Sequence, residues 1–366
     1  MSVRVRYGGL LVAGGVLAGL LGMGGGAAGG RPLSSVACVW KSYPVPLPHS
    51  PGHLPRVSAV AAASSRDVWA IGASSKAAPT FLHWDGSRWR AVRAPGQPSA
   101  VAARGDDVWA VGRRNGRPVS MRWDGKRWKP VAVPVKAAST LVSVAVSGSG
   151  QVWAVGGTGG DSVLVLHRAG SSWSRVVAPQ GAYGLTAVAA IPGTGDAWVE
   201  GSDLGDAALD LDLWTRSAWQ LNPLLVPAAE LSIGGPTLAA SSPNDAWVGA
   251  TETDNNGHNH PLLVHWDGNT WAAAIAPNPG GNSQLNGISD RSASDAWAVG
   301  TYTSRKRLYS FVLHWDGTRW ARVQAPTHVH RQSPGHFVPG DNAVTTIPGS
   351  NQVWVAGGTL DRGECR

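Results

Sequence analysis

Residues 295–300 read DAWAVG, and residues 313–326 read LHWDGTRWARVQAP. The first of these stretches returns as Asp67-Val68-Trp69, Asp107-Val108-Trp109, Gln151-Val152-Trp153, Asp196-Ala197-Trp198, Asp245-Ala246-Trp247 and Gln352-Val353-Trp354. The seven copies are spaced 40, 44, 45, 49, 50 and 57 residues apart. Self-similarity at such a period marks a repeat architecture in which each unit buries its faces against its neighbours.

Each repeat has room for four short strands. A run of small apolar residues such as 57–62 or 185–191 suits a crowded strand near a central channel. A turn rich in Ser, Pro, Asn and Asp follows, as at 242–245. The second strand carries the Trp and ends in Gly, and the third ends at a His-Trp pair. Asp-Gly then signals a tight hairpin, because both residues tolerate positive φ. The fourth strand opens on a second Trp and stops at a Pro, which cannot donate to a ladder. The reading is all-β: a seven-bladed propeller with four antiparallel strands per blade. Composition agrees, since 48 Gly, 25 Pro and only 15% charged residues suit many short strands and turns.

Trp outnumbers Phe 19 to 3, and 18 of the Trp residues fall on three repeat positions. A blade is apolar on both faces, and a Trp covers roughly 150–250 Å² of such surface. These rings are therefore read as packing between blades. After Trp354 only twelve residues remain, so the seventh repeat lacks its outer strand. The segment 38–46 (CVWKSYPVP) matches 320–326 in form and is predicted to supply that strand and close the ring. Closure removes open sheet edges. The chain's two cysteines, Cys38 and Cys365, lie where the Asp-Gly turn would stand in a complete blade, and a disulfide is predicted to replace it.

Residues 1–37 read as a secretory signal and short linker: Arg4 and Arg6, an uncharged stretch over 8–23, then small residues. The rest, 38–366, reads as one propeller domain, with no transmembrane segment after signal removal. Lipidation at Cys38 is the alternative, and it would leave Cys365 free. Export suits a disulfide. The formal charge of +8 includes Arg4, Arg6 and Arg31, which leaves the mature chain nearer +5. No basic helix is present, so nucleic acid is not expected as a partner. A cell-wall polysaccharide or a protein ligand is, with the chain a monomer.

Two repeats depart from the pattern. His167-Arg168-Ala169-Gly170 replaces His-Trp-Asp-Gly in the third. The fourth holds Glu200, Asp203, Asp206, Asp210 and Asp212, with Asp210 and Asp212 alternating with leucines in the manner of a wet strand face. Loops lengthen towards the C-terminus, at 251–261 (TETDNNGHNHP) and 327–342 (THVHRQSPGHFVPGDN). Binding residues concentrate on loops held by a rigid scaffold. Asp254, His258, His260, His328, His330 and His336 are the candidate ligand-binding residues. H-x-H spacing alone does not define a metal site, so no metal and no cofactor is assigned.

The pair of motifs D-x-W-x-V-G and H-W-D-G-x-x-W resembles the repeats of the propellers grouped with galactose oxidase and kelch proteins. The resemblance spans Cys38 to the C-terminus and implies the fold. It does not extend to the oxidase's copper site, which needs a tyrosine crosslinked to a cysteine, whereas both cysteines here sit at the ring closure. The function expected is that of a secreted binding or interaction protein, its glycan, peptide or protein ligand held at the long-loop end of the channel. The alternative is a carbohydrate-active hydrolase or lyase using propeller-loop carboxylates.

Overall fold

The computed structural model describes residues 37–48, 55–135, 139–148, 150–158, 162–202, 208–215, 217–225, 237–254, 256–305, 307–326, 330–331 and 342–365. Among them there is no helix, and the strands form seven antiparallel sheets. In chain order, blades 1 to 6 occupy 56–92, 97–131, 139–176, 183–225, 237–274 and 282–323. Blade 7 combines strands from 343–365 with Cys38–Pro44 as its outer strand. The innermost strand of each blade touches that of the next, and the seventh touches the first, so the ring is closed. The signal read over 1–37 falls almost wholly outside the described residues.

Closure follows the predicted register. Cys38 pairs with Cys365 and Pro44 with Thr359, and the two cysteines are disulfide-bonded. Gly363 stands where blades 1, 2, 5 and 6 carry the Trp of the Asp-Gly hairpin. A Cβ there would lie 3.0 Å from the Trp40 ring, so a larger residue would need that ring to shift.

The Trp of each Asp-x-Trp is fully buried, at 0–1% exposure in all seven blades. In six of the seven it meets edge-on the Trp that opens the outer strand of the next blade. Trp69 meets Trp128 at 5.0 Å, Trp198 meets Trp271 at 5.1 Å, and Trp247 meets Trp320 at 5.0 Å. Trp354 meets Trp89 at 5.1 Å across the closure. Such T-shaped pairs add about 0.5–1.5 kcal/mol each beyond the area they bury.

The repeated polar residues are scaffold too. Asp67, Asp245 and Asp295 bond the Nε2 of His83, His265 and His314 across the second and third strands, at 2.9, 2.7 and 3.2 Å. His83 and His265 in turn stack on Trp69 and Trp247, with centroids 4.1 and 4.2 Å apart. In blade 3 Gln151 replaces the Asp and still bonds His167 at 2.6 Å. In blade 2 Arg122 replaces the His and still reaches Asp107 at 3.2 Å. The Asp of each Asp-Gly turn caps its own hairpin. Asp316 Oδ1 accepts the amides of Thr318 and Arg319, each at 2.9 Å. These bonds, the Thr318 hydroxyl first, hold Asp316 down at about 2. The Gly closing Asp-x-Trp-x-x-Gly answers a bulge in the innermost strand: a Cβ on Gly300 would sit 2.1 Å from the Gln284 carbonyl oxygen.

Candidate functional site

With an even number of antiparallel strands per blade, the second-to-third hairpins and the connections between blades share one end of the ring. Among the described residues, blades 5 and 6 reach furthest there. Their hairpin strands run Asp245–Thr253 with Asn259–Trp266, and Asp295–Ser304 with Arg307–Trp315. A long hairpin that projects past the blade contributes little to the ring's core, so its side chains are free for other work.

Asp254 organises the tip of the blade 5 hairpin. Its Oδ1 accepts the amides of Asn256 at 2.8 Å and His258 at 2.9 Å. Its Oδ2 accepts from His260 Nε2 at 3.0 Å, with His258 Nδ1 3.6 Å away. The His260 bond, first among these, holds the Asp254 carboxyl well below the usual carboxylate range. Asn278, on the connection to blade 6, donates its Nδ2 to His260 Nδ1 at 2.7 Å. That donation makes Nδ1 the acceptor, so Nε2 carries the proton given to Asp254. Asn278 Oδ1 accepts in turn from Gly280 N at 2.9 Å and Ser283 Oγ at 3.1 Å.

The network continues into blade 6. The Asn259 amide donates to Asn282 Oδ1 at 3.1 Å, and Asn282 pairs with Thr303 in the ladder. Next to it, Tyr302 and Tyr309 face each other across the hairpin with rings stacked at 5.1 Å and 20°. The Arg322 guanidinium lies 5.3 Å over the Tyr302 ring, and its Nη2 reaches the Tyr302 hydroxyl at 3.3 Å. Both tyrosines are half-buried. The result is a polar relay on blade 5 beside an aromatic platform on blade 6.

Of the residues singled out from sequence, Asp254, His258 and His260 are brought together. His330 extends the blade 6 hairpin as part of a short fifth strand, pairing with Leu308 through its backbone. His328 and His336 lie outside the described residues. Sequence reasoning missed Asn278, Asn282, Tyr302, Tyr309 and Arg322. The tyrosines were legible in principle, since counting outward from the turn between Ser304 and Arg307 sets them opposite each other. Among the described residues no three His, Cys, Asp or Glu side chains converge as a metal site would require.

The reading of Asp210 and Asp212 as a wet strand face fails at Asp212, and another acid of the run, Glu200, is buried as well. Asp212 is only 4% exposed, and Glu200 only 1%. Glu200 sits opposite Leu211, on the other face of the sheet from Asp210 and Asp212. It occupies the position held by Ile71, Val111, Val155 and Val299 in other blades, where the seam to the next blade is apolar. Burial pushes its carboxyl up to about 8, against the hydrogen bond from Thr186, and nearby Asp210 adds to the rise. Asp203 and Asp206 lie outside the described residues. A second raised carboxyl, Asp290, faces Asp245, which is also bonded by His265 and Ser241. Burial first and Asp245 next push Asp290 up to about 9.

No family model matches the chain, and no curated protein matches it. Solved structures do. YCF48 bound to D1 peptide is 14% identical, with a TM-score of 0.56 over 89% of this chain and 96% of that one. A GH74 xyloglucanase from Xanthomonas campestris is 15% identical, with a TM-score of 0.56 over 88% of this chain and 52% of that one. The hydrazine synthase of Kuenenia stuttgartiensis is 12% identical, with a TM-score of 0.55 over 82% and 92%. At these identities the likeness is one of fold.

Proposed function

We propose that the chain is an exported binding protein whose ligand is held at the long-loop end, on the paired hairpins of blades 5 and 6. The relay from Asp254 through His260 to Asn278 carries this reading. It spends three polar side chains on fixing the surface of a projecting hairpin that the ring does not need. A surface so ordered loses little further entropy when a ligand binds. The Tyr302–Tyr309 platform adds an amphipathic face of the kind that a sugar ring or a peptide side chain covers. Export is supported by the Cys38–Cys365 disulfide, and kinship with the kelch-like propellers by the repeat itself.

The test is a glycan and peptide array probed with the parent and with an Asp254→Ala/His260→Ala variant. The parent is expected to bind a ligand that the variant loses, with the melting temperature nearly unchanged. A variant that binds that ligand as the parent does would place the functional surface elsewhere.

A further inference from the structure

The second-to-third hairpin of blade 2 reads RRNGR over 113–117. Asn115 and Gly116 both take positive φ, 52° and 77°, which makes the two-residue turn of the I′ type. That turn sets Arg114 directly opposite Arg117. Like charges facing each other destabilise a strand pair, and Arg113 adds a third. All three are exposed. Among the described residues none of the three forms an ion pair, and Asp107, Asp124 and Asp85 stand at the other end of the strands, engaged with Arg122, Lys129 and Arg90. The hairpin thus holds a local electrostatic cost that nothing within the described residues offsets.

The hairpin walls a groove between blades 1 and 2. One cavity there, of about 590 Å³, is lined by Gln97, Arg113, Arg114 and Asn115 among others. A second, of about 560 Å³, is lined by Arg93, Arg114, Lys126 and Arg127. The two share Ala94, Pro95 and Arg114, so they form one continuous groove, and no Asp or Glu lines either.

We propose that this groove binds a linear acidic polysaccharide, one that carries carboxylates among hydroxyls. Arginine predominates over lysine in the lining, and its planar fork matches a carboxylate in two parallel hydrogen bonds. The carboxamides of Gln97 and Asn115 offer both donors and acceptors, which suits hydroxyl groups between the charges. Single-stranded nucleic acid is disfavoured because the one aromatic in the lining, Trp128, is 5% exposed and offers no ring face for a base. A lipid surface is disfavoured because the apolar residues of the lining, Val92, Ala94 and Pro95, are small and half-buried and leave no large apolar side chain to insert in it. The site is separate from the blade 5 and 6 hairpins and stands if that reading fails.

Polygalacturonate is the probe, titrated calorimetrically at about 50 and about 200 mM salt, where charge-driven binding differs most. The parent is expected to bind it and not neutral dextran. Arg113→Gln/Arg114→Gln/Arg117→Gln is expected to weaken binding by at least about tenfold. It should also reduce the slope of log K against log salt by about two to three, one unit per lost contact. The triple variant's melting temperature should hold or rise, because repulsion is relieved. Asp254→Ala/His260→Ala should bind polygalacturonate as the parent does. The proposal is overturned if polygalacturonate fails to bind at low salt, or if the triple variant binds as well as the parent. It is equally overturned if the blade 5 variant loses the binding. Single-stranded DNA or anionic phospholipid vesicles binding as tightly as polygalacturonate would overturn it too, by showing unspecific charge attraction.

Discussion

Replacing Glu200 with Val is expected to stabilise the protein, increasingly so as pH rises. Glu200 lies in the seam towards blade 5, at 1% exposure, in a position that blades 2, 3 and 6 fill with Val111, Val155 and Val299. Its folded-state pKa is about 8, against an ordinary value of 4.5. Between those two values the unfolded chain has released this proton while the folded chain retains it. Stability therefore falls as pH rises through the window, by about 1.4 kcal/mol for each pH unit. The window is about 8 − 4.5 = 3.5 pH units wide, so the accumulated loss reaches ~5 kcal/mol. Valine has no proton to lose. The Thr186 hydroxyl that it leaves behind is on an exposed residue and returns to water.

The expected result at pH 8.5 is a melting temperature above the parent's by about 5–10 °C, the equivalent of about 3–5 kcal/mol in a domain of this size. At pH 4.5 the two proteins should melt within about 2 °C of each other, since Glu200 is then protonated in the folded chain and still half protonated in the unfolded one, so little of the loss has accumulated. Thermal melts of parent and variant at half-unit steps from pH 4.5 to 9 measure the difference directly. A difference that stays flat across that range would refute the reasoning, because it would mean that Glu200 ionises in the folded protein as it does in water.

Asp290→Asn acts through the same sign: Asp290 contributes stability that is complete below pH 3.8 and is lost as pH climbs to about 9. The variant should therefore gain on the parent by a few kcal/mol at pH 9 and hardly at all at pH 3.5, as read by urea melts. Trp297→Ala removes a ring that is 1% exposed and supports His314, and should cost about 3–5 kcal/mol in the same assay. Reduction of the Cys38–Cys365 disulfide should lower stability by up to about 6 kcal/mol on the chain-entropy account of a loop this long. Alkylation before reduction should label neither cysteine.

The fold was legible because every repeat position performs the same task seven times. Trp297 and Trp69 read alike since both fill a seam, and the outer strand absent after Trp354 could be found by matching its form at 38–46. The Asp–His bonds were not legible in the same way. Asp67 and His83 are 16 residues apart, and only the register of the second and third strands makes them neighbours. Asp254 and His260 could be picked out because they share one loop. Their partner Asn278 could not, because it arrives from the connection to the following blade. Glu200 was grouped with Asp210 and Asp212 by charge. Aligning it with Ile71 and Val299 would have shown an acid in an apolar seam.

In a chain of this kind a site is found by subtraction. Taken alone, the neighbourhood of Asp245, with His265, Ser241 and a protonated Asp290, has the residue types of a catalytic centre. The same Asp–His geometry recurs at Asp67 and at Asp295, survives as Gln151 with His167, and becomes Asp107 with Arg122. A proton-transfer role would not tolerate Gln or Arg in those places, whereas orienting a ring over a buried Trp asks only for a hydrogen bond. The Asp–His pair is thus assigned to the scaffold. What remains after subtraction is what no other blade repeats: Glu200 in a seam, Asp290 against Asp245, the RRNGR hairpin, and the relay from Asp254 to Asn278. The first two cost stability inside the protein, and the third costs it at the surface. Only the third and fourth face solvent on a rigid mount, and those two are where a ligand is to be sought.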